Sequence, residues 1–264
     1  MSKNLLFTIT EKELRYLLEV RYCMAKKKEI RPVITGMYFT TKDSNKIEVC
    51  ALDGYRLSKR VLDNVKYNNQ FNFILTRDSI MKLYKTTKSN KNIVNVYYVD
   101  QEIQFEFVNQ NKQIECSTIK DNYIQYNHII PQENDLEIKL DSKELINIIK
   151  NIRKEAKKNN LDILHIVFKI FQREDNYRFQ IQVQCRQSKE IEYCKNLYLN
   201  DFKILKNELK ESFEIAINID YIYQAIKLYK GSATIGFNSS VTPITIQQNN
   251  KLDLVLPIRI LETV

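Results

Sequence analysis

Glycine is scarce in this chain: four in 264 residues, at positions 36, 54, 231 and 236. A phosphate-binding loop or a dinucleotide fingerprint needs several glycines close together, so that backbone can approach phosphate. Four scattered glycines form neither. Histidine is scarcer still, with only His128 and His165, far apart, and neither HExxH nor GxSxG occurs. His165 lies in the strand-like run LDILHIVFKI, where a packed imidazole is the ordinary reading. Carboxylates are plentiful but form no recognisable acid–base pair. No enzyme class is signalled, and no metal or other cofactor is implied.

The five cysteines, at 23, 50, 116, 185 and 194, show no metal-ligand spacing, and their odd number argues against a complete disulfide framework. They are expected to be reduced and part-buried. No apolar run reaches the length of a membrane span; LDLVLPIRIL, near the end, is interrupted by Asp253, Pro257 and Arg259. The opening MSKNLLFTIT lacks the apolar core and cleavage site of a signal peptide. A cytoplasmic location without membrane contact is the expectation.

What is present is core-forming sequence and positive charge. Hydrophobic residues make up 44% and charged residues 28%, a globular rather than disordered balance. Lys and Arg number 41 against 32 Asp and Glu, a net charge of +9. That excess favours a polyanionic partner, although richness in Lys, Asn, Ile and Tyr is also what AT-rich coding produces.

The chain repeats itself. Residues 7–18 read FTITEKELRYLL and residues 138–149 read IKLDSKELINII. Each is a short strand, then a helix cap (Thr10 or Asp141), then a shared Lys-Glu-Leu and an apolar helical face. The faces are Leu14, Leu17 and Leu18 in one, and Leu145, Ile148, Ile149, Ile152 and Ala156 in the other. A second pair, FNFILTRDSI (71–80) and FEIAINIDYI (213–222), repeats the pattern with Thr76 and Asn218 as caps and an acid, Asp78 or Asp220, in the first turn. This is a duplication of one unit of roughly 130 residues rather than a short solenoid repeat. Strand-like runs at 32–40, 46–52, 92–98, 102–108 and 112–118 fill the first unit. Runs at 161–170, 177–186, 189–198, 232–237, 243–248 and 252–256 fill the second. Each unit reads as strand–helix–strands twice over, giving an α+β class with largely antiparallel sheet. Two tandem domains are expected, 1–133 and 134–264.

The opposite helix faces are basic. The first carries Lys12, Arg15 and Arg21 and runs into Lys26, Lys27 and Lys28. The second carries Arg77, Lys82, Lys85 and Lys88. The third carries Lys143, Lys150, Arg153, Lys154, Lys157 and Lys158, and the fourth Lys227 and Lys230. Solvated helix faces are commonly lysine-rich. Repetition on four helices points further, to a phosphate-attracting wall indifferent to sequence. No stacking aromatics alternate with these charges, so a base-reading platform is disfavoured.

Residues 31–60, RPVITGMYFTTKDSNKIEVCALDGYRLSKR, resemble the middle domain of the bacterial DNA polymerase III beta subunit family, the sliding clamps. That family has an Arg-Pro-x-Leu-x-Gly segment, a strand, and Ala-Thr-Asp-Gly-His-Arg-Leu. Here stand Arg31-Pro32-Val33-Ile34-Thr35-Gly36 and Ala51-Leu52-Asp53-Gly54-Tyr55-Arg56-Leu57. Residues 119–131, IKDNYIQYNHIIP, are similar to the segment running into the last domain, and 252–260, LDLVLPIRI, to the family's C-terminal ending. The matches fall in the family's order, cover its middle and last domains, and leave none for its first.

The resemblance implies two tandem clamp domains, each of antiparallel sheets with two helices. It implies a non-catalytic ring around duplex DNA, a processivity factor lined by helices. On those helices the DNA-facing residues would be Lys12, Arg15, Lys26, Lys27, Lys28, Arg77, Lys82, Lys85, Lys150, Arg153, Lys154, Lys157 and Lys227. DNA polymerase and the clamp loader would insert short apolar peptides into a cleft between the two domains. By the same matches Gly54 would admit the peptide backbone, Leu57 would supply apolar wall and Arg56 a polar grip. The rest of the cleft would be Ile34, Leu52, Tyr55, Ile124, His128, Ile129, Val241, Pro243 and the run Leu254, Val255, Leu256, Pro257, Ile258, Arg259 and Ile260. A bacterial, plasmid or phage origin and association with the nucleoid would follow.

Departures bear on these expectations. Leu52, Tyr55 and Ile124 replace the family's usual Thr, His and Pro, so the peptide preference would differ. Leu261-Glu262-Thr263-Val264 extend past the usual end, and a charge of +9 replaces an acidic one. The bacterial clamp closes as a dimer of three-domain chains; with two domains per chain, six domains require three chains, a homotrimer assembled head to tail. The competing readings are a clamp-like adaptor or competitor that binds the peptides without encircling DNA, and a non-ring DNA-binding protein or an enzyme with an unrecognised site.

Overall fold

The computed structural model describes residues 3–42, 45–67, 69–88, 90–173, 176–187, 190–209 and 212–259. Its contacts divide the chain into two compact units, Met1–Tyr126 and Asn127–Val264, so residues 127–133 fall with the second.

The first unit opens with β1 (Lys3–Thr10), α1 (Glu11–Leu17) and three strands, β2 (Met37–Lys42), β3 (Lys46–Leu52) and β4 (Arg56–Leu62). The same order returns as β5 (Asn72–Leu75), α2 (Arg77–Thr86), β6 (Ile93–Val99), β7 (Glu102–Phe107) and β8 (Lys112–Cys116), followed by the short β9 (Thr118–Ile119). The second unit repeats it: β10 (Leu136–Asp141), α3 (Ser142–Lys158), β11 (His165–Arg173), β12 (Asn176–Gln187) and β13 (Glu190–Leu199). After the added β14 (Phe202–Asn207) come β15 (Phe213–Asn218), α4 (Ile219–Ile226), β16 (Ser232–Phe237), β17 (Ile244–Gln248) and β18 (Lys251–Val255).

Within a unit the halves exchange strands. β1 pairs with β6, not with β2, while β5 pairs with β2. β10 pairs with β16, and β15 with β11. The first unit therefore contains a four-stranded sheet β1-β6-β7-β8 and a run of five, β4-β3-β2-β5-β9. The second contains β13-β12-β11-β15 and β14-β10-β16-β17-β18. All these pairings are antiparallel, and the class is α+β as expected.

Each helix starts at the cap read from the sequence. Thr10 accepts from Glu13 N at 3.2 Å, and the Glu13 carboxylate accepts from Thr10 N at 2.7 Å, a reciprocal pair. Thr76 accepts from Ser79 N, Asp141 from Glu144 N, and Asn218 from both Asp220 N and Tyr221 N. Such a cap contributes about 1 kcal/mol. Leu14, Leu17 and Leu18 are buried, as are Leu145, Ile149, Ile152 and Ala156; Ile148 is half-buried. Cys23, Cys50 and Cys116 are free and buried, while Cys194 is free and exposed. Burial pushes the Cys116 thiol up to about 12, which suppresses the reactive thiolate.

Four stretches differ from the sequence expectation, the first being 161–164, which is loop ahead of β11. The run 32–40 is not strand throughout: Pro32–Thr35 form a 3-10 turn, and pairing begins at Met37. Proline pre-sets the turn's φ and has no N–H for a ladder. Gly36 sits where a Cβ would fall 2.4 Å from Leu75 O, so backbone approaches backbone there. β4 was hidden because Arg56, Lys59 and Arg60 mask its alternation; Arg60 is fully buried, donating to Lys59 O at 2.8 Å and pairing with Glu19 at 3.4 Å. β14 shows only alternate half-burial, FKILKN, with little apolar signal.

The solvent face of β1-β6-β7 is organised around Glu106. Its carboxylate accepts from Lys3 at 3.1 Å, Tyr97 at 2.9 Å and Gln113 at 3.1 Å. The hydrogen bonds from Lys3 and Tyr97 hold its pKa at about 2, below the ordinary 4.5. A lowered folded-state pKa stabilises above the ordinary value, and that contribution declines as pH falls from 4.5 toward about 2. Urea titrations between these limits should show a steeper loss of stability for the native chain than for Glu106→Gln.

Candidate functional site

The turn between β3 and β4 is built by its own residues. Leu52 and Leu57 face each other as the last ladder pair. Asp53 Oδ1 accepts from Tyr55 N at 3.0 Å and Arg56 N at 2.9 Å, a side chain standing in for backbone. Gly54 has φ +88°, a conformation that L side chains rarely adopt. Arg56 reaches back over the turn, its Nε 3.0 Å and Nη2 2.7 Å from Asp53 Oδ2, and Nη2 also donates to Tyr22 O at 3.3 Å. The Arg56 and Asp53 side chains are only 9% and 11% exposed.

This arrangement changes the expected roles. Arg56 is a clamp that shapes the turn. Leu57, Leu52 and Ile34 are buried. Tyr55 and Gly54 are exposed, and Ile124 is half-buried. The exposed cation is one the sequence reading passed over: Arg31, 58% exposed, whose Nη2 lies 3.6 Å from the position of a Cβ on Gly54. The signal for it was the Arg31-Pro32 pair opening the Arg-Pro-x-x-x-Gly segment.

In the second unit the expected residues divide similarly. Leu254 and Val255 are buried parts of β18. Leu256 is exposed, and Pro257 and Ile258 are half-buried where the chain runs beside β15, with Ile258 N donating to Ala216 O at 2.8 Å. Val241 is exposed on a turn held by Ser239 N donating to Thr242 Oγ1 at 2.9 Å, and Pro243 beside it is half-buried. His128, Ile129 and Arg259 are exposed. Ile260 and residues 261–264 lie outside the described residues.

The helix cations separate by type. The arginines work inside the fold. Arg15 Nη1 donates to Tyr84 O at 2.9 Å and Thr87 O at 3.1 Å, and its guanidinium lies 3.7 Å from the Tyr84 ring centroid. Arg21 stacks on the same ring at 3.2 Å, and burial lowers its pKa. Arg153 pairs with Asp220 and lies 4.0 Å from the Tyr223 ring. An arginine from the first helix of each unit thus holds a tyrosine of the second. Arg77 Nη1 donates to Ala25 O at 3.0 Å.

The lysines face water. Lys12, Lys26, Lys28, Lys82 and Lys85 are exposed in the first unit, and Lys27 is exposed beside Asp78 at 2.8 Å. Lys150, Lys154, Lys157 and Lys227 are exposed in the second. Flexible ammonium groups on capped helices attract phosphate without reading bases.

The Arg31/Arg56 distinction is measurable by thermal or urea unfolding. Removing one partner of a nearly buried pair costs about 3 kcal/mol, so Arg56→Ala should lower stability by that order. Arg31→Ala, at an exposed position, should change it by less than about 0.5 kcal/mol.

Residues 8–125 match the family model for the DNA polymerase III beta subunit, central domain. The beta sliding clamp of Borreliella burgdorferi is 30% identical over 105 residues, covering 40% of this chain and 26% of that protein. The beta sliding clamp of Bacillus subtilis is 22% identical over 236 residues, covering 88% of this chain and 58% of that one. The crystal structure of the beta subunit from the DNA polymerase of Streptococcus pyogenes superposes with a TM-score of 0.80 at 18% identity, over 97% of this chain and 66% of that one. The chain therefore spans between a quarter and three fifths of the length of these curated relatives. The fold is the sliding-clamp fold, and the first unit carries the match to the central domain of the DNA polymerase III beta subunit.

Proposed function

We propose that the chain is a DNA sliding clamp, a non-catalytic processivity factor that encircles duplex DNA and tethers polymerase and clamp loader through short apolar peptides. The observation that carries this reading is the separation of cations on the four capped helices: arginines hold each helix pair together, and lysines are left toward solvent. Such a surface holds a phosphate backbone loosely and without register, which sliding requires.

The peptide role rests on the Asp53-Gly54 turn and on the exposed apolar residues Ile129, Val241 and Leu256. Tyr55 offers an exposed aromatic surface, and Arg31 a polar grip beside a glycine with no side chain to block a backbone. A buried Leu or Phe anchor contributes about 1.5–3 kcal/mol, and two anchors give roughly micromolar affinity after association costs. Three copies of the two units, assembled head to tail, would supply a six-domain ring.

Native mass spectrometry across a range of concentrations tests the ring. Three times 31.5 kDa, 94.5 kDa, is the expected mass. A persistent 31.5 kDa species would remove the ring and leave the adaptor reading. Fluorescence anisotropy with a labelled Leu- and Phe-containing peptide tests the site: Arg31→Ala combined with Tyr55→Ala should weaken binding about tenfold, the loss typical of interface anchors. Unchanged affinity would remove the turn from the peptide site.

A further inference from the structure

On the loop from α1 to β2, Ile30 is a residue that neither the ring nor the peptide site uses. Ile30 is 93% exposed, the most exposed large apolar side chain among the described residues. It follows Lys26, Lys27 and Lys28, all exposed, and precedes Arg31. The one acid between Lys26 and Arg31, Glu29, is paired with Arg31 at 3.5 Å. A tip of four cations and one aliphatic side chain suits an anionic partner with an apolar slot.

The loop is held in place. Ala25 N donates to Ile34 O at 2.9 Å and closes its base. Glu29 N donates to Lys26 O at 3.0 Å and makes an inner turn. From α2, Arg77 donates to Ala25 O at 3.0 Å, and Asp78 pairs with Lys27 at 2.8 Å. Ile30 is therefore displayed by a compact loop whose ends are joined, a form often used for function.

A single exposed aliphatic residue is ordinary. One presented among cations on a DNA-binding surface matches the wedge by which proteins separate stacked bases. We propose that Ile30 inserts between bases where stacking is already interrupted, at a nick, a one-nucleotide gap or a junction of single and double strands. Lys26, Lys27 and Lys28 hold the flanking phosphates. Unstacking is least costly at such breaks, so the loop gives an otherwise sequence-indifferent clamp a preference for DNA discontinuities. The proposal rests on the DNA-binding reading above.

Fluorescence anisotropy compares an intact duplex of about 30 base pairs with the same duplex carrying a one-nucleotide gap, at one salt concentration because phosphate binding depends on salt. The native chain should bind the gapped DNA about tenfold more tightly, within the range a lost or gained base-level contact produces. Ile30→Ser should abolish that preference and leave intact-duplex affinity unchanged, and Ile30→Leu should retain it. Equal affinity of the native chain for both DNAs, or a preference that survives Ile30→Ser, would overturn the wedge and leave DNA binding standing. Binding to neither DNA would overturn the DNA reading and the wedge with it. Phosphatidylserine–phosphatidylcholine vesicles form the third arm: vesicle binding that Ile30→Ser abolishes, with the gap preference unaffected, would reassign the loop to a lipid surface.

Discussion

Strand exchange is the constraint on which each unit depends. Because β1 joins the strands after α2, and β5 joins those after α1, neither half can finish its sheet alone. The same holds for β10 and β15 in the second unit. Each helix buries one apolar stripe in the interlocked sheets and keeps the other face outside. The helix pair is then fixed by arginine on tyrosine, Arg15 on Tyr84 in one unit and Arg153 on Tyr223 in the other. Planar guanidinium groups suit close stacking better than compact, strongly hydrated ammonium groups, and most lysines of these helices are left to the solvent face. A surface of mobile ammonium groups on a rigid frame is the physical basis of the proposed sliding contact.

The same economy of roles appears at the Asp53-Gly54 turn. Asp53 and Arg56 close on each other and on Tyr22, so their charges stabilise the turn and are largely withdrawn from partners. The surface is left to Tyr55, Gly54 and the exposed Arg31. An arginine in a sequence motif is thus not automatically a ligand-binding arginine; burial and pairing decide.

Much of the fold was legible in the sequence. The four caps, the apolar stripes of α1 and α3 and the twofold strand–helix order depend on local chemistry, and local chemistry is written in short windows. What was not legible depended on tertiary pairing. β4 carries Arg60 at a core position, where it pairs with Glu19, distant in sequence, and donates to Lys59 O. Strand exchange is invisible to periodicity, because a strand's partner does not alter its alternation. The candidate site was half legible: the motif located the turn, but which of Arg31 and Arg56 faces water followed from the pairing of Arg56 with Asp53 and Tyr22 O. Likewise charge counts marked the helices as basic without separating inward arginines from outward lysines.

The central claim is topological retention on DNA, and the most direct measurement is release upon cutting the circle. The chain is loaded onto a nicked circular plasmid by a clamp loader, brought to a salt concentration that abolishes simple phosphate contacts, and separated by gel filtration before and after linearisation. The account predicts that protein stays with the circle and leaves once the DNA has ends. Equal loss from circular and linear DNA at that salt would contradict it.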